Sequence, residues 1–155
     1  MEPLRLERHA LDAILAHARE THPDECCGAI VRRAGRDEVW RLRNVQDELH
    51  ARDPITHPRT ARTAYALGRE DTEQLDGASG GSAATGTLAA IYHSHTKTGA
   101  YFSGEDRARA MFIDEPIFPQ VAYLVVSDSR TPGEARAFRW SAAQADFVEV
   151  AVEVG

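Results

Sequence analysis

The sequence contains no long hydrophobic run and no cluster of basic residues. No stretch approaches the roughly eighteen apolar residues that a membrane-spanning helix needs, and the first residues lack the apolar segment of a signal peptide. The net charge of −6 argues against nucleic acid or an anionic membrane as the main partner. We therefore expect a cytoplasmic protein that binds neither nucleic acid nor membrane. The sequence predicts no particular oligomeric state.

Cysteine is also scarce, because the chain has only the adjacent pair Cys26 and Cys27. Adjacent cysteines rarely form a disulfide, since the resulting ring is strained, and their reduced state fits a reducing compartment. We favour burial as small apolar side chains, with a nucleophilic thiol as the weaker alternative. The 155 residues, of which 43% are hydrophobic and 27% charged, predict one domain over residues 1–155 that needs no disulfide.

Hydrophobic patterning predicts an α/β fold with a mixed sheet flanked by helices. Helices are predicted over 6–20 and 60–75, and strands over 27–33, 38–45, 88–92, 121–127, 135–140 and 147–154, with turns at 34–37 and 129–134. The segment 46–58 is predicted to be irregular, and 76–87, which is rich in Gly, Ala and Ser, is predicted to be a flexible loop. His9, His17 and His22 are predicted to lie at the surface.

A possible metal site follows the apolar run 88–92, where the sequence reads His93-Ser94-His95. Residues two apart on a strand point to the same side, so both imidazoles can face one ion. Ser103 is predicted to cap a helix whose first turn brings Asp106 back to the histidines as a third ligand. Two imidazoles and a carboxylate suit zinc and leave a fourth position for water, as in catalytic sites.

Each of these features also has an ordinary structural explanation. His-x-His is common on strands, and Ser-x-x-Asp is a usual helix start in which Ser103 and Asp106 satisfy free backbone N–H groups. Without the downstream motif, Glu25 is better explained as an exposed acid that follows a helix. The combination favours metal binding, because two unpaired histidines at the end of a buried strand are costly to desolvate.

Two separated motifs resemble the signature of the JAMM (MPN+) zinc metalloproteases, which include deubiquitinases and bacterial peptidases acting on ubiquitin-like sulfur-carrier proteins. The downstream motif comprises His-x-His from His93 and Ser-x-x-Asp ending at Asp106. The family's upstream motif, Glu-x-Cys-Gly followed by an apolar residue, matches Glu-Cys-Cys-Gly-Ala starting at Glu25. The resemblance implies the JAMM/MPN fold, which is cytidine-deaminase-like, with a mixed curved sheet flanked by helices.

The resemblance also implies roles for five residues. Zn²⁺ is held by His93, His95 and Asp106, and Glu25 acts as the general base and acid. Ser103 donates a hydrogen bond to the oxyanion, although its capping role uses the same hydroxyl group.

The chain departs from the resembled family at two positions near the predicted site. The family usually has proline directly after the second histidine and often another before the serine, whereas this chain has Thr96 and Phe102. We therefore expect a less rigid loop from Thr96 to Phe102. We expect the absence of these prolines to affect how the substrate is positioned and to leave the metal ligands intact.

The resemblance favours a peptidase that cleaves after the C-terminal Gly-Gly of a ubiquitin-like sulfur carrier. A deubiquitinase-like isopeptidase and a non-catalytic MPN scaffold are the alternatives, and the ligand set counts against the scaffold. A DNA-repair-associated relative would carry a helix-hairpin DNA-binding region, which is not found. A cytidine-deaminase-like zinc hydrolase would need a Pro-Cys-x-x-Cys ligand pair, which this sequence lacks.

Overall fold

A six-stranded mixed sheet forms the centre of the protein in the computed structural model, which describes residues 1–128 and 133–155. The helices are α1 (Arg8–Thr21), α2 (Gln46–Arg52), α3 (Arg69–Ser79) and α4 (Gly104–Ala110). The strands are β1 (Leu4–Leu6), β2 (Cys27–Arg33), β3 (Arg36–Leu42), β4 (Thr87–His95), β5 (Met111–Phe112), β6 (Glu115–Pro116), β7 (Ala122–Ser127), β8 (Glu134–Ser141), β9 (Asp146–Val150) and β10 (Val152–Val154). The predicted α/β class with a mixed sheet is confirmed.

The strand order of the central sheet is β3-β2-β4-β7-β8-β9. Strands β4 and β7 run parallel, and the other neighbouring pairs run antiparallel. The strand that carries the two histidines is therefore an interior strand of the sheet. Its backbone is hydrogen-bonded on both sides, which fixes the direction of the side chains at its end.

Each face of the sheet is covered by its own apolar cluster. Ala90 and Tyr92 of β4 face the side on which Ile14 of α1 packs, whereas Ile91 faces the side on which Leu75 of α3 packs. Because side chains alternate along a strand, odd-numbered residues at the end of β4 continue on the second face. The two histidines therefore emerge from the sheet on the face that also carries α3.

Tyr92 explains why the upstream motif contains a glycine. Gly28 lies opposite Tyr92 in the β2–β4 ladder, and a Cβ atom at Gly28 would lie 2.4 Å from the tyrosine ring and 2.4 Å from the carbonyl oxygen of Trp40. The Tyr92 hydroxyl lies 2.6 Å from Nδ1 of His17. His17 is buried, so its predicted surface position is wrong: the helical pattern did not reveal that Tyr92 offers its ring a polar partner.

The predicted helix over 60–75 is wrong in its first half, since α3 starts only at Arg69. The backbone before it bonds to other segments: the carbonyl of Ala61 accepts from Glu25 N–H at 2.8 Å, and that of Ala66 accepts from Val45 N–H at 2.9 Å. The side chain of Asn44 adds bonds to the carbonyl of Ala64 and the N–H of Ala66. These non-local partners replace helical hydrogen bonds, so the local apolar pattern gave the wrong structure.

Other boundaries also differ from the prediction. The segment 46–58 contains α2, and the predicted flexible loop 76–87 begins inside α3, which ends at Ser79. The predicted turn 34–37 is shorter in the structure and comprises only Ala34 and Gly35. Both residues have positive φ angles, as a two-residue hairpin turn requires. The predicted turn 129–134 lies mostly outside the described residues.

The predicted last strand, 147–154, is two strands. It breaks at Ala151, whose carbonyl accepts from Leu4 N–H at 2.9 Å, and β10 pairs in parallel with β1, which the sequence did not predict. Three-residue strands are too short to give a clear alternation. Among the described residues, no helix has both the length and the apolar character that crossing a membrane requires.

Candidate metal centre

Three side chains converge where the end of β4 meets the start of α4. Nε2 of His93 lies 3.0 Å from Oδ1 of Asp106, and Nε2 of His95 lies 3.1 Å from Oδ2 of the same carboxylate. The two Nε2 atoms are 3.3 Å apart. All three side chains are buried, and their ligand atoms lie within 4.8 Å of one another.

This donor set fits a zinc ion. Ligand atoms around a tetrahedral zinc ion with bonds of about 2.0–2.1 Å lie roughly 3.3 Å apart, close to the three observed separations. The carbonyl oxygen of Gly99, which can only accept, lies 2.9 Å from Nδ1 of His95, so this nitrogen carries the hydrogen. In the neutral ring, Nε2 then presents a lone pair to the Asp106 carboxylate and to His93. Such lone pairs repel one another unless a cation or additional protons lie between them.

The surroundings of the two rings differ. Besides its contact with Gly99, Nδ1 of His95 lies 3.2 Å from the Thr98 hydroxyl, and the ring meets Tyr101 edge-on at a centroid distance of 5.0 Å. The His93 ring stacks on Tyr65 at 4.5 Å, and its Nδ1 has no hydrogen-bond partner among the described residues. Hydrogen bonding therefore orients His95, whereas ring packing orients His93.

Asp106 is held by its helix as well as by the histidines. Its Oδ2 accepts from Ser103 N–H at 2.9 Å, while its own N–H donates to Ser103 Oγ at 3.0 Å, which completes a capping box. Burial by itself raises the pKa of Asp106, but the charge of His93 and the hydrogen bonds of His93 and His95 outweigh it and hold that pKa well below its usual range. The carboxylate is therefore ionised and ready to bind a cation.

Charge interactions also affect His95. Burial by itself lowers the pKa of His95, yet the hydrogen bond and negative charge of Asp106, with smaller contributions from Gly99 and Glu25, raise it above its ordinary value. In the absence of a metal ion, the ring holds its second proton more firmly than a free imidazole does. Metal binding must displace that proton.

Glu25 is buried in the wall of the same site, next to His95 in an open groove. Its Oε1 has no hydrogen-bond partner among the described residues, and its backbone is fixed by Ala61 and by the side chain of Asn44. Burial is the main cause that raises the pKa of Glu25 to about 8. The exposed acid that the alternative interpretation required is thus absent.

Ser103 occupies the N-cap of α4, as predicted. Its Oγ accepts a hydrogen bond from Asp106 N–H, which uses a lone pair and leaves the hydroxyl hydrogen free to donate elsewhere. The side chain also lines the groove. Capping and donation to a substrate oxygen are therefore compatible for one hydroxyl group.

The groove has a volume of about 320 Å³ and includes residues that no motif indicates. Arg59, Arg62, Lys97 and Tyr101 line it together with Glu25. The arginines come from the irregular segment before α3, whose position depends on non-local hydrogen bonds, so no local signal could have revealed them. A larger cleft of about 530 Å³ lies at the paired termini and contains none of these side chains.

The loop from Thr96 to Phe102 is held in place without the prolines. The Thr96 hydroxyl donates to the carbonyl of Arg62 at 3.1 Å, and Ser127 Oγ donates to the carbonyl of Thr98 at 2.7 Å. Phe102 packs against Phe138 and Phe147 at centroid distances of 5.2 and 5.0 Å. Hydrogen bonds and ring packing therefore contact this loop at both ends, and its lower rigidity stays a prediction.

The two cysteines do not contribute a nucleophile. Both are free thiols and fully buried. Burial raises the pKa of Cys26 to about 11 and that of Cys27 still higher. Both thiols are therefore protonated at neutral pH, and they pack as small apolar side chains.

Comparisons with known proteins identify related sequences. Residues 7–141 match the family described as prokaryotic homologs of the JAB domain. A Mycobacterium tuberculosis protein named CysO-cysteine peptidase is 34% identical over 131 residues, which cover 83% of this chain and 77% of the relative. Tail tip assembly protein K of Escherichia phage N15 is 27% identical over 104 residues, which cover 67% of this chain and 35% of that protein.

Solved structures show the same fold. A protein from Desulfitobacterium hafniense superposes with a TM-score of 0.66 at 21% identity, covering 97% of this chain and 92% of that one. A JAB1/MPN domain protein from Archaeoglobus fulgidus superposes with a TM-score of 0.52 at 14% identity, covering 96% of this chain and 98% of that one. The predicted JAMM/MPN fold is confirmed.

Proposed function

This chain belongs to the prokaryotic JAB family, and on that premise we propose that it is a zinc-dependent peptidase. Its substrate is a ubiquitin-like sulfur-carrier protein, and it cleaves the bond after the carrier's C-terminal Gly-Gly. The observation that carries the proposal is the convergence of His93, His95 and Asp106 beside Glu25, a buried carboxyl group with one oxygen that has no hydrogen-bond partner among the described residues. A structural ion pair would explain the cluster of three residues, but it would not explain why a buried glutamate lines the groove beside them.

His93, His95 and Asp106 are the residues that would hold the ion. Bound there, a zinc ion would supply Lewis-acid chemistry and would lower the pKa of water in the site to about 7. The three side chains come from two adjoining elements, and the capping box of α4 fixes the carboxylate before any ion arrives. The protein thus contributes a donor set of the type found in catalytic zinc sites.

Glu25 is the proposed general base and acid. Burial raises its pKa to about 8, and a divalent cation nearby favours the carboxylate form at neutral pH. Glu25 accepts a proton from the attacking water and then delivers it to the leaving amine. A group with a pKa near the working pH suits both steps.

Ser103 is the proposed donor to the carbonyl oxygen under attack. Its oxygen already accepts the N–H of Asp106, so its hydrogen is free to point into the groove. Loss of one such donor costs on the order of 3 kcal/mol in the activation barrier. Ser103→Ala should therefore reduce kcat more than it changes KM.

The proposed substrate rests on two supports. The relative from Mycobacterium tuberculosis is named for CysO-cysteine, and glycines allow a substrate backbone to pass close to a metal centre. A deubiquitinase-like isopeptidase is the alternative within the same chemistry. A cytoplasmic location is part of the proposal and fits the two free, buried thiols.

The test is incubation of the zinc-loaded protein with a sulfur carrier extended by one residue beyond Gly-Gly, followed by mass spectrometry. We expect the mass of that residue to be lost, and chelation to prevent the loss. Glu25→Gln should retain zinc and lose at least a hundredfold in rate, whereas Glu70→Gln, an exposed acid on α3, should behave as wild type. An unchanged carrier mass at full zinc content would refute the proposal. Cleavage of isopeptide-linked diubiquitin alone would favour the alternative.

A further inference from the structure

We propose that Arg62 and Lys97 in the groove bind the free α-carboxylate at the end of the substrate, so that the protein removes one or two residues from a C-terminus. This inference rests on the proposed peptidase function and specifies its substrate class. A chain that continues beyond the groove, as an isopeptide-linked partner does, carries no carboxylate at this place.

The charge of the groove is opposite to that of the protein as a whole. The net charge of the chain is −6, yet three cations line the groove beside His95, and the acids that line it are Glu25 and Glu105. The long 3.9 Å contact between Arg59 and Glu105 partly offsets one positive charge. Within the described residues, Arg62 and Lys97 have no ion pair.

The backbone next to both cations is fixed relative to the proposed catalytic residues. Ala61, which precedes Arg62, accepts the N–H of Glu25 at 2.8 Å. The backbone carbonyl oxygen of Arg62 accepts a hydrogen bond from the Thr96 hydroxyl at 3.1 Å. Lys97 follows Thr96 directly, two residues beyond the end of β4. The two cations thus start from neighbouring backbone positions next to the proposed base and a metal ligand.

The size of the groove limits which anion can be bound. A volume of about 320 Å³ is at the small end of the range for ligand pockets, and one extended residue spans only about 3.5 Å. A group that these cations hold must therefore lie within one or two residues of the bond to be cut. In a carrier extended by one residue, the anion at that distance is the terminal carboxylate.

The chemistry of the two cations suits a carboxylate. Arg62 offers a planar pair of N–H donors that matches the two oxygens of a carboxylate, and Lys97 adds a point charge. Since both residues are exposed, water can hydrate them when no substrate is present. Their contribution should therefore appear in substrate selection and decrease at high ionic strength.

The experiment compares three carriers that share the same sequence through Gly-Gly. One ends in alanine with a free carboxylate, the second in alanine amide, and the third in aspartate amide, which moves the carboxylate to a side chain. We expect the zinc-loaded protein to cleave the free acid roughly tenfold to a hundredfold faster in kcat/KM than either amide, which is the effect of one charge-assisted hydrogen bond.

The variants assign this preference to the groove. The double variant Arg62→Gln/Lys97→Gln should lose most of the preference, because it should slow cleavage of the free acid far more than cleavage of alanine amide. Arg69→Gln, which alters an exposed arginine on α3, is the matched control and should keep the preference. Zinc content and melting temperature verify that each variant is folded and loaded.

The outcomes separate this inference from the proposed function. Equal cleavage of acid and amide by wild type, with no effect of the double variant, overturns the carboxylate site and leaves the peptidase intact. If the carrier that ends in aspartate amide is cleaved as fast as the free acid, the site for a terminal α-carboxylate is also overturned, because the groove would then bind a side-chain carboxylate. No cleavage of any carrier by zinc-loaded protein refutes the peptidase itself, and this inference with it.

Discussion

Glu25 is the residue in which burial and chemistry conflict most directly. It is 5% exposed, and one carboxylate oxygen has no partner among the described residues. Such a group is costly to keep charged in a protein interior. The same burial shifts the pKa of Glu25 towards neutral pH, and such shifted pKa values are common among residues that transfer protons in active sites.

The first prediction concerns the stability of the metal-free protein. The folded state keeps Glu25 protonated up to a pKa of about 8, whereas the unfolded state loses the proton near 4.5. Protonated Glu25 therefore contributes fully to the free energy of unfolding at low pH. This contribution is lost as the pH rises towards 8, which lowers the free energy of unfolding by on the order of a few kcal/mol. Glu25→Gln should raise the melting temperature at pH 8 by roughly 5 °C or more, and change it little at pH 5.

Thermal unfolding monitored by circular dichroism in the presence of a chelator measures this effect. The exposed Glu70→Gln variant should show no pH-dependent difference from wild type. If Glu25→Gln were no more stable than wild type at pH 8, Glu25 would not be a destabilising buried acid.

For individual residues, the sequence predicts the proposed metal ligands better than it predicts the residues around them. His93, His95 and Asp106 could be identified because strand alternation and a helix start place them together from local rules. Tyr65, Arg59 and Arg62 could not, because they reach the site through hydrogen bonds to distant backbone groups. The same reason explains the burial of His17 in α1, because its partner Tyr92 lies far away in the sequence, on β4.

At the scale of elements, the site depends on how closely β2 and β4 approach each other. Gly28 leaves room for the Tyr92 ring on the face opposite the histidines. Cys26, two residues earlier, donates its N–H to Ser94 Oγ at 2.8 Å. The upstream motif therefore positions β4 as well as supplying Glu25.

The second prediction tests this packing. Gly28→Ala places a Cβ atom 2.4 Å from both a tyrosine ring and a backbone carbonyl, so it should destabilise the protein by about 1–3 kcal/mol. Gly77→Ala is the matched control, since nothing lies within 4 Å of a Cβ there. Its position within α3 predicts a stabilisation of up to about 1 kcal/mol.

Urea denaturation of both variants measures the difference. The two substitutions add the same methyl group, so opposite signs attribute the effect to the surroundings. Destabilisation of equal size at both positions would count against the role of Gly28 in strand packing.

Across the whole molecule, the proposed site joins segments that are distant in the sequence. Glu25 precedes β2, the histidines end β4, and Asp106 begins α4. The site can form only when the sheet has assembled, so an ion that binds it stabilises the complete fold.

The third prediction links metal binding to pH. The raised pKa of His95 adds stability to the metal-free protein at low pH, and that stability is lost as the pH rises through the folded value. Metal binding requires neutral imidazoles, so it strengthens over the same interval. The rise in melting temperature caused by zinc should therefore be small at pH 5.5 and should grow towards pH 8.

Differential scanning fluorimetry with and without zinc measures this dependence. His93→Ala should abolish the zinc-dependent rise, which separates the site from the exposed histidines. A rise that does not change with pH would mean that zinc does not compete with protons at His95.

The parallel pairing of β1 with β10 has a consequence for how the chain folds during synthesis. Arg5 and Glu153, whose side chains bond at 3.0 Å, are separated by 148 positions. Strand β1 therefore has no partner until β10 has been synthesised, whereas the central sheet that carries the histidines consists of earlier segments. Because contacts at such long sequence separation form slowly, closure of the two termini is expected to be a late step in folding.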